Sequence, residues 1–251
     1  MQRLFSTLLL TAGTVLVVGM QSVYRNQNFG QASEELTSSA SVEQLYLLQA
    51  LPKLGFENLF ANGIFLKFLQ YFGDDAVREK TGYGLSPDFF SLILAADPYY
   101  RPFYLFASSS STLYAGQPTR AISLLNQGLE QLEPNQPPDA FLIWRYKGTD
   151  ELLFLGSSAS AQESFQTAAD WADVSNYPNS ELVAEVSRRM VESLKQNSDN
   201  TAVKTNAWLS LLNSALDEAS RQRIIEEIRS LGGDISVDSA GKVDIDLPTV
   251  D

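Results

Sequence analysis

Apolar and polar positions recur along this chain with a spacing of 40 residues. When residues 103–128 are placed over residues 143–168, residues of similar size and polarity coincide. A fixed period of this length is typical of helical repeats, in which each helix pair buries its apolar face on its neighbours. The coinciding pairs are Tyr104/Trp144, Phe106/Tyr146, Ser108/Gly148, Leu113/Leu153, Tyr114/Phe154, Gly116/Gly156, Ala121/Ala161, Leu125/Phe165 and Gly128/Ala168.

Within each unit the spacing predicts two helices separated by a break. In the first unit Tyr104 lies four residues before Ser108, so both side chains fall on one face of a helix. The second helix carries small, large and small residues at steps of four and three, which also keeps them on one face. Gly116 and Pro118 between the two runs predict the end of one helix and the first turn of the next.

These units resemble the tetratricopeptide repeat family, which places an aromatic, a small residue, Ala, an aromatic or aliphatic residue, and Ala in this order. The gap from Ser108 to Ala121 is about one residue longer than the usual family spacing. The resemblance implies an all-α, tetratricopeptide-like helical-repeat solenoid, and the chain looks like membrane-anchored bacterial or cyanobacterial proteins of this kind. The alternative is a non-repetitive helical bundle in which the matches are coincidental.

The remaining pattern predicts helices for most of the chain. A capping box at Ser41 and Gln44 predicts a helix to about residue 54, followed by helices over 57–72 and 86–96 with a loop over 74–85. Ser160 and Glu163 have the same spacing and predict a helix start at Ser160. Further helices are predicted at 180–195, 201–214 and 217–231, so the repeat domain spans residues 42–231. The tail, residues 232–251, alternates apolar and polar residues and predicts a small β-hairpin.

The first twenty residues form an apolar segment. From Leu4 to Met20 there is no charged residue, and Arg3 precedes the run. A length of about 17 residues is the lower limit for crossing a bilayer, so residues 1–20 are predicted to be a transmembrane signal anchor. Residues 21–41 are polar and predict a tether. A cleaved secretory peptide would begin in the same way, but no clean small-x-small site follows at the expected distance. A buried core helix is the third interpretation.

The charge around the anchor predicts its orientation. Arg3 and the free amino terminus favour a cytoplasmic N-terminus, although Arg25 on the far side weakens this bias. The chain is therefore predicted to be a single-pass membrane protein with its repeat domain in a periplasm or a thylakoid lumen. The absence of cysteine is compatible with an oxidising compartment.

Composition excludes several kinds of function. The net charge of -12 argues against sequence-independent nucleic-acid binding and disfavours docking on an anionic lipid surface beyond the anchor itself. Without histidine or cysteine, Ser-His-Asp and Cys-His nucleophilic sites and the usual zinc sites are ruled out. No catalytic, cofactor-binding or metal-binding residue is predicted. Cleavage of a polysaccharide or cell wall needs only two positioned carboxylates, so an enzyme using Glu151 or Glu163 remains an alternative.

The predicted function is that of a non-catalytic, membrane-tethered scaffold that binds protein partners and serves the assembly or maintenance of a membrane complex. The family resemblance implies that the first helix of each unit lines a concave binding face. Arg145 can hold a carboxylate through two hydrogen bonds, or it can simply solvate its helix. The alternative is a stable accessory subunit in which the aromatic-rich residues 60–72 also form an interface. The candidate partner-binding residues are Leu105, Ser109, Thr112, Arg145, Thr149 and Leu152.

Overall fold

A computed structural model describes residues 45, 47, 55–196, 200–212, 215, 217–237 and 243–246. These residues form an all-α fold, as predicted, with a short pair of strands at its C-terminal end. The predicted anchor and tether lie outside the described residues, and of the helix predicted over 42–54 only Leu45 and Leu47, both helical, are described. The helices are α1 (Glu57–Phe72), α2 (Asp75–Thr81), α3 (Ser86–Ala96), α4 (Arg101–Ser109), α5 (Pro118–Leu129), α6 (Phe141–Leu153), α7 (Ser158–Asp173), α8 (Ser180–Gln196), α9 (Thr201–Leu212) and α10 (Glu218–Ser230).

Two helix pairs, α4 with α5 and α6 with α7, have the same chain geometry. Their first helices begin 40 residues apart, and so do their second helices. Gly116 and Gly156 both have a φ of 64°, a left-handed conformation that glycine adopts without steric cost. In each pair, the N–H of the residue after this glycine donates a hydrogen bond of 2.8 Å to an earlier carbonyl. Gln117 donates to Ser111, and Ser157 donates to Glu151.

One local difference separates the two pairs. The chain continues from α4 into a π-helical turn over Ser110–Tyr114, whereas α6 is α-helical to Leu153. A π-helical turn holds more residues than an α-helical turn, so the side chains that follow Ser109 are rotated away from the α-helical register. Despite this difference, Leu113 and Leu153 lie in the same apolar cluster, and Thr112 and Leu152 are both buried.

The largest apolar cluster lies between α1, α3, α4 and α5 and includes Leu45. Its rings meet edge to face or tilted: the centroids of Phe68 and Phe90 are 4.6 Å apart, and those of Phe65 and Phe103 are 5.0 Å apart. Such pairs contribute about 0.5–1.5 kcal/mol each beyond the area they bury. This aromatic cluster fixes α4 against the N-terminal helices.

The C-terminal helices extend the packing. Helix α7 lies between α6 and α8, while α9 and α10 fold back onto the C-terminal ends of the first helices of both pairs. Trp208 and Ile224 pack in one cluster with Leu113 and Leu153, and the rings of Phe154 and Trp208 are 4.9 Å apart. The predicted helices at 180–195, 201–214 and 217–231 are confirmed as α8, α9 and α10, with small shifts at their ends.

Two local predictions were wrong. The segment predicted as a loop over 74–85 contains α2, because the Asp74 carboxylate accepts a hydrogen bond from the Val77 N–H at 3.2 Å and caps the helix. Helix α7 begins at Ser158 instead of Ser160, because Ser157 is its capping residue and accepts from the Ser160 N–H at 3.3 Å.

The tail forms two strands, β1 (Asp234–Val237) and β2 (Val243–Asp246), which pair antiparallel with Ile235 opposite Ile245. Residues 238–242, between the two strands, lie outside the described residues. In the described part of the chain, no helix is both long enough and apolar enough to cross a membrane.

Candidate interaction surface

Two of the six predicted binding residues lie on the outer surface of α4. Leu105 is 44% exposed, and the Ser109 hydroxyl one turn later donates to the Leu105 carbonyl at 3.0 Å. A single exposed leucine is common on protein surfaces, so Leu105 is informative only together with other exposed apolar residues near it. Phe106, the next residue, is 37% exposed, and its ring lies 5.2 Å from that of Phe65 on α1.

Arg145 and Thr149 occupy the equivalent positions on α6, 40 residues later. The Thr149 hydroxyl donates to the Arg145 carbonyl at 3.0 Å, which repeats the contact between Ser109 and Leu105. Helices α4 and α6 pack against each other. The structure therefore places four of the predicted residues at equivalent positions of two neighbouring helices.

Arg145 carries a charge that has no acidic partner among the described residues. Its guanidinium donates to the Ser187 hydroxyl of α8 at 3.0 Å, and none of the ion pairs in the described part of the chain includes it. Burial lowers the pKa of Arg145 from its ordinary value, since a half-buried cation loses part of its hydration. A carboxylate brought to this position would restore that lost stabilisation.

The other two predicted residues are buried. Thr112 and Leu152 are each 1% exposed, so in this structure they belong to the interior and not to an accessible surface. Thr112 lies in the π-helical turn and donates to the Ser108 carbonyl at 2.8 Å. Leu152 packs with Phe165 of α7 and with residues of α8, because the third helix layer covers that side of α6.

A polar network that the sequence argument missed joins the starts of α4 and α6. The Arg101 guanidinium donates to the Asp139 carboxylate at 2.5 Å and to the Tyr146 hydroxyl at 2.7 Å. The two partners lie 38 and 45 residues away. These separations from Arg101 are close to the 40-residue spacing seen in the sequence. That spacing is the sequence feature that could have suggested the contact. Such a network fixes the orientation of α4 relative to α6.

Replacing Arg101 with Lys is expected to destabilise the protein by about 1–2 kcal/mol, because a point-charge ammonium cannot serve both acceptors of the rigid guanidinium. Chemical denaturation of the full chain measures this loss. The matched control is Arg120→Lys, since Arg120 pairs with Asp88 at a more exposed position and should cost about 0.5 kcal/mol or less. Equal losses for both variants would contradict the role given to Arg101.

The interior between α4 and α6 holds a carboxyl group. Asp150 is 3% exposed, and it hydrogen-bonds with Ser108 and Thr112. Burial raises the pKa of Asp150 to about 7; the two hydrogen bonds lower it, and the neighbouring charge of Glu151 raises it further. Its Oδ2 atom has no hydrogen-bond partner within the described residues, so this group destabilises the interface whenever it is ionised.

The two glutamates considered for carboxylate chemistry differ in accessibility. Glu151 is buried, pairs with Lys147 at 2.9 Å and accepts from the Ser164 hydroxyl at 2.6 Å. Glu163 is exposed on α7. Among the residues that the structure describes, no group of three or more acidic side chains could hold a metal ion.

Comparison with protein-family models, curated proteins and solved structures gives no match for this chain. The placement of the predicted residues and the physical chemistry around them are therefore the basis for a functional proposal.

Proposed function

We propose that this protein is a non-catalytic, membrane-tethered scaffold whose helix pairs stack as a tetratricopeptide-like solenoid. The common start positions of the helix pairs and the shared glycine conformation at Gly116 and Gly156 support the repeat. The uncharged run from Leu4 to Met20 supports the tether. In this proposal the repeat domain lies in a periplasm or a thylakoid lumen and serves the assembly or maintenance of a membrane complex.

The proposed binding surface consists of Leu105, Phe106 and Ser109 on α4 with Arg145 and Thr149 on α6. This proposal rests on one observation. An exposed apolar residue, Leu105, and a cation without an acidic partner among the described residues, Arg145, occupy equivalent positions on α4 and α6. This combination suits a protein segment with an apolar residue and a nearby carboxylate. The apolar contact buries surface area, and the contact between the carboxylate and Arg145 fixes the position of the bound segment along the surface.

Photo-crosslinking tests the location of this surface. A photoreactive amino acid at position 149, one turn from Arg145 and with Arg145 left in place, is expected in full-length chain in native membranes to give at least tenfold more of a discrete crosslinked protein product than the same group at position 166. Gln166 is an exposed residue of α7 and is the matched control. Equal yields at both positions would defeat the assignment of the surface.

The Arg145→Gln variant tests the charge. It is expected to weaken capture of the crosslinked partner by about 10- to 100-fold, since a hydrogen bond to a charged group contributes about 1.5–3 kcal/mol. The control is Arg189→Gln, because Arg189 pairs with Glu185 on the exposed face of α8. Affinity unchanged in the first variant, or lowered equally in both, would contradict recognition through Arg145.

A further inference from the structure

Helix α1 has a second apolar face that the described helices do not cover. Ala61, Ile64, Phe68 and Tyr71 are buried on one side, yet Leu59 is 69% exposed and Leu66 is 63% exposed on the other. Positions 59, 63 and 66 follow each other at steps of four and three, so they share one face of the helix. Phe56, immediately before α1, is also exposed.

This outward face of α1 carries almost no charge. The helix contains one acidic residue, Glu57, and one basic residue, Lys67, although the whole chain has a net charge of -12. Between the two leucines lies Gly63, and no described residue outside its own turn of the helix lies within 4 Å of the position where its Cβ would be. This face is locally neutral and combines exposed leucines with the uncharged polar residues Asn62 and Gln70, whereas the rest of the chain is acidic.

The position of α1 in the chain indicates what covers it. The uncharged run ends at Met20, and the polar segment predicted to be a tether ends at residue 41. A random coil of about 21 residues has a root-mean-square span of about 25 Å. Leu45 is already buried in the cluster that contains the inner face of α1. Helix α1 is the first of the ten helices named above and follows the helical residues Leu45 and Leu47, so the proposed tether holds it close to the bilayer at high effective concentration.

We propose that the face of α1 formed by Leu59, Gly63 and Leu66, together with Phe56, inserts into the apolar surface of the bilayer. This inference rests on the tether in the proposed function. Interfacial helices lie in the membrane plane with their apolar side in the region where headgroups meet acyl chains. The contact holds the repeat domain in a fixed orientation on the membrane, so that the surface on α4 and α6 meets partners from a defined direction.

The absence of native cysteine gives a direct test. Full-length Leu66→Cys, labelled with an environment-sensitive fluorophore, is reconstituted into phosphatidylcholine vesicles that contain spin-labelled lipid. The expected result is at least threefold stronger quenching than for the same label in Ala159→Cys, where the native residue is small and exposed in α7. Leu59→Cys is a second reporter on the same face, and it should be quenched as strongly as Leu66→Cys.

The outcomes separate this inference from the tether. If the chain remains with the vesicles but the labels at 59 and 66 are quenched no more than the label at 159, the lipid contact is wrong. Energy transfer between labels on different chains, without lipid quenching, assigns the face to a second copy and also overturns it. A chain that does not remain with the vesicles overturns the tether, and this inference with it.

Discussion

Asp150→Asn is expected to become more stable relative to the wild-type chain by up to about 4 kcal/mol as the pH rises from 4 to 8. Burial raises the pKa of this carboxyl to about 7 in the folded protein, whereas an aspartate in an unfolded chain has a pKa of about 3.9. Between these values the folded chain keeps a proton that the unfolded chain has lost. The favourable contribution of this protonated carboxyl to the free energy of unfolding is fully present below about pH 4. It declines as the pH rises and is lost once the pH has passed about 7.

The magnitude follows from the difference between the two pKa values, which is about three units at about 1.4 kcal/mol per unit. Asn cannot ionise, so it removes this dependence while it keeps the size of the side chain. At pH 4, the difference in free energy of unfolding between Asp150→Asn and the wild-type chain reports the cost of the new amide beside Ser108 and Thr112. The change in that difference with pH reports the carboxyl alone.

Chemical denaturation of the full chains at several values between pH 4 and pH 8 measures the effect. Glu163→Gln is the control, because it makes the same kind of change at an exposed position of α7 and should track the wild type throughout. A difference between Asp150→Asn and wild type that stays constant with pH would show that the carboxyl is not buried as described.

The helix boundaries were largely predictable because their signals are local. Gly116 and Gly156 end the first helices in a left-handed conformation that glycine adopts without steric cost. The predicted bounds of α8 and α10, 180–195 and 217–231, lie within one residue of the observed ones. The short helix α2 was missed although its cap, Asp74, is local, because its buried residue is Arg78 and no apolar run marks the helix. Arg78 is buried with its guanidinium 3.8 Å from the centre of the Tyr71 ring.

The candidate surface was only partly predictable, since exposure depends on which helices lie nearby. Helical register and the family resemblance predicted that Leu105 and Thr149 lie on an outward-facing surface. Leu105 is exposed and Thr149 is half-buried. Thr112 and Leu152 occupy equivalent positions and both fail, because Thr112 is buried against Asp150 of α6 and Leu152 against α7 and α8. Asp150 was not singled out because an acidic residue within a helix usually faces water. Its burial arises from the approach of α4, which no local pattern records.

Gly128→Ala is expected to destabilise the protein by about 3 kcal/mol, an effect opposite in sign to the usual gain when Ala replaces a helical glycine. A Cβ at position 128 would lie 2.6 Å from Cζ of Tyr104, and the Cε1 and Oη atoms would be closer still. The ring cannot move aside, because Tyr104 is fully buried and its hydroxyl donates to the Pro98 carbonyl at 2.7 Å.

Gly63→Ala is the matched control for this close approach. It makes the same change in the middle of a helix, but nothing lies within 4 Å of the new Cβ, so it should stabilise the chain by about 1 kcal/mol. The two variants should therefore differ by about 4 kcal/mol in chemical denaturation. If Gly128→Ala proves as stable as Gly63→Ala, α4 and α5 do not approach each other through this tyrosine and glycine, and the packing that defines the first helix pair is wrong.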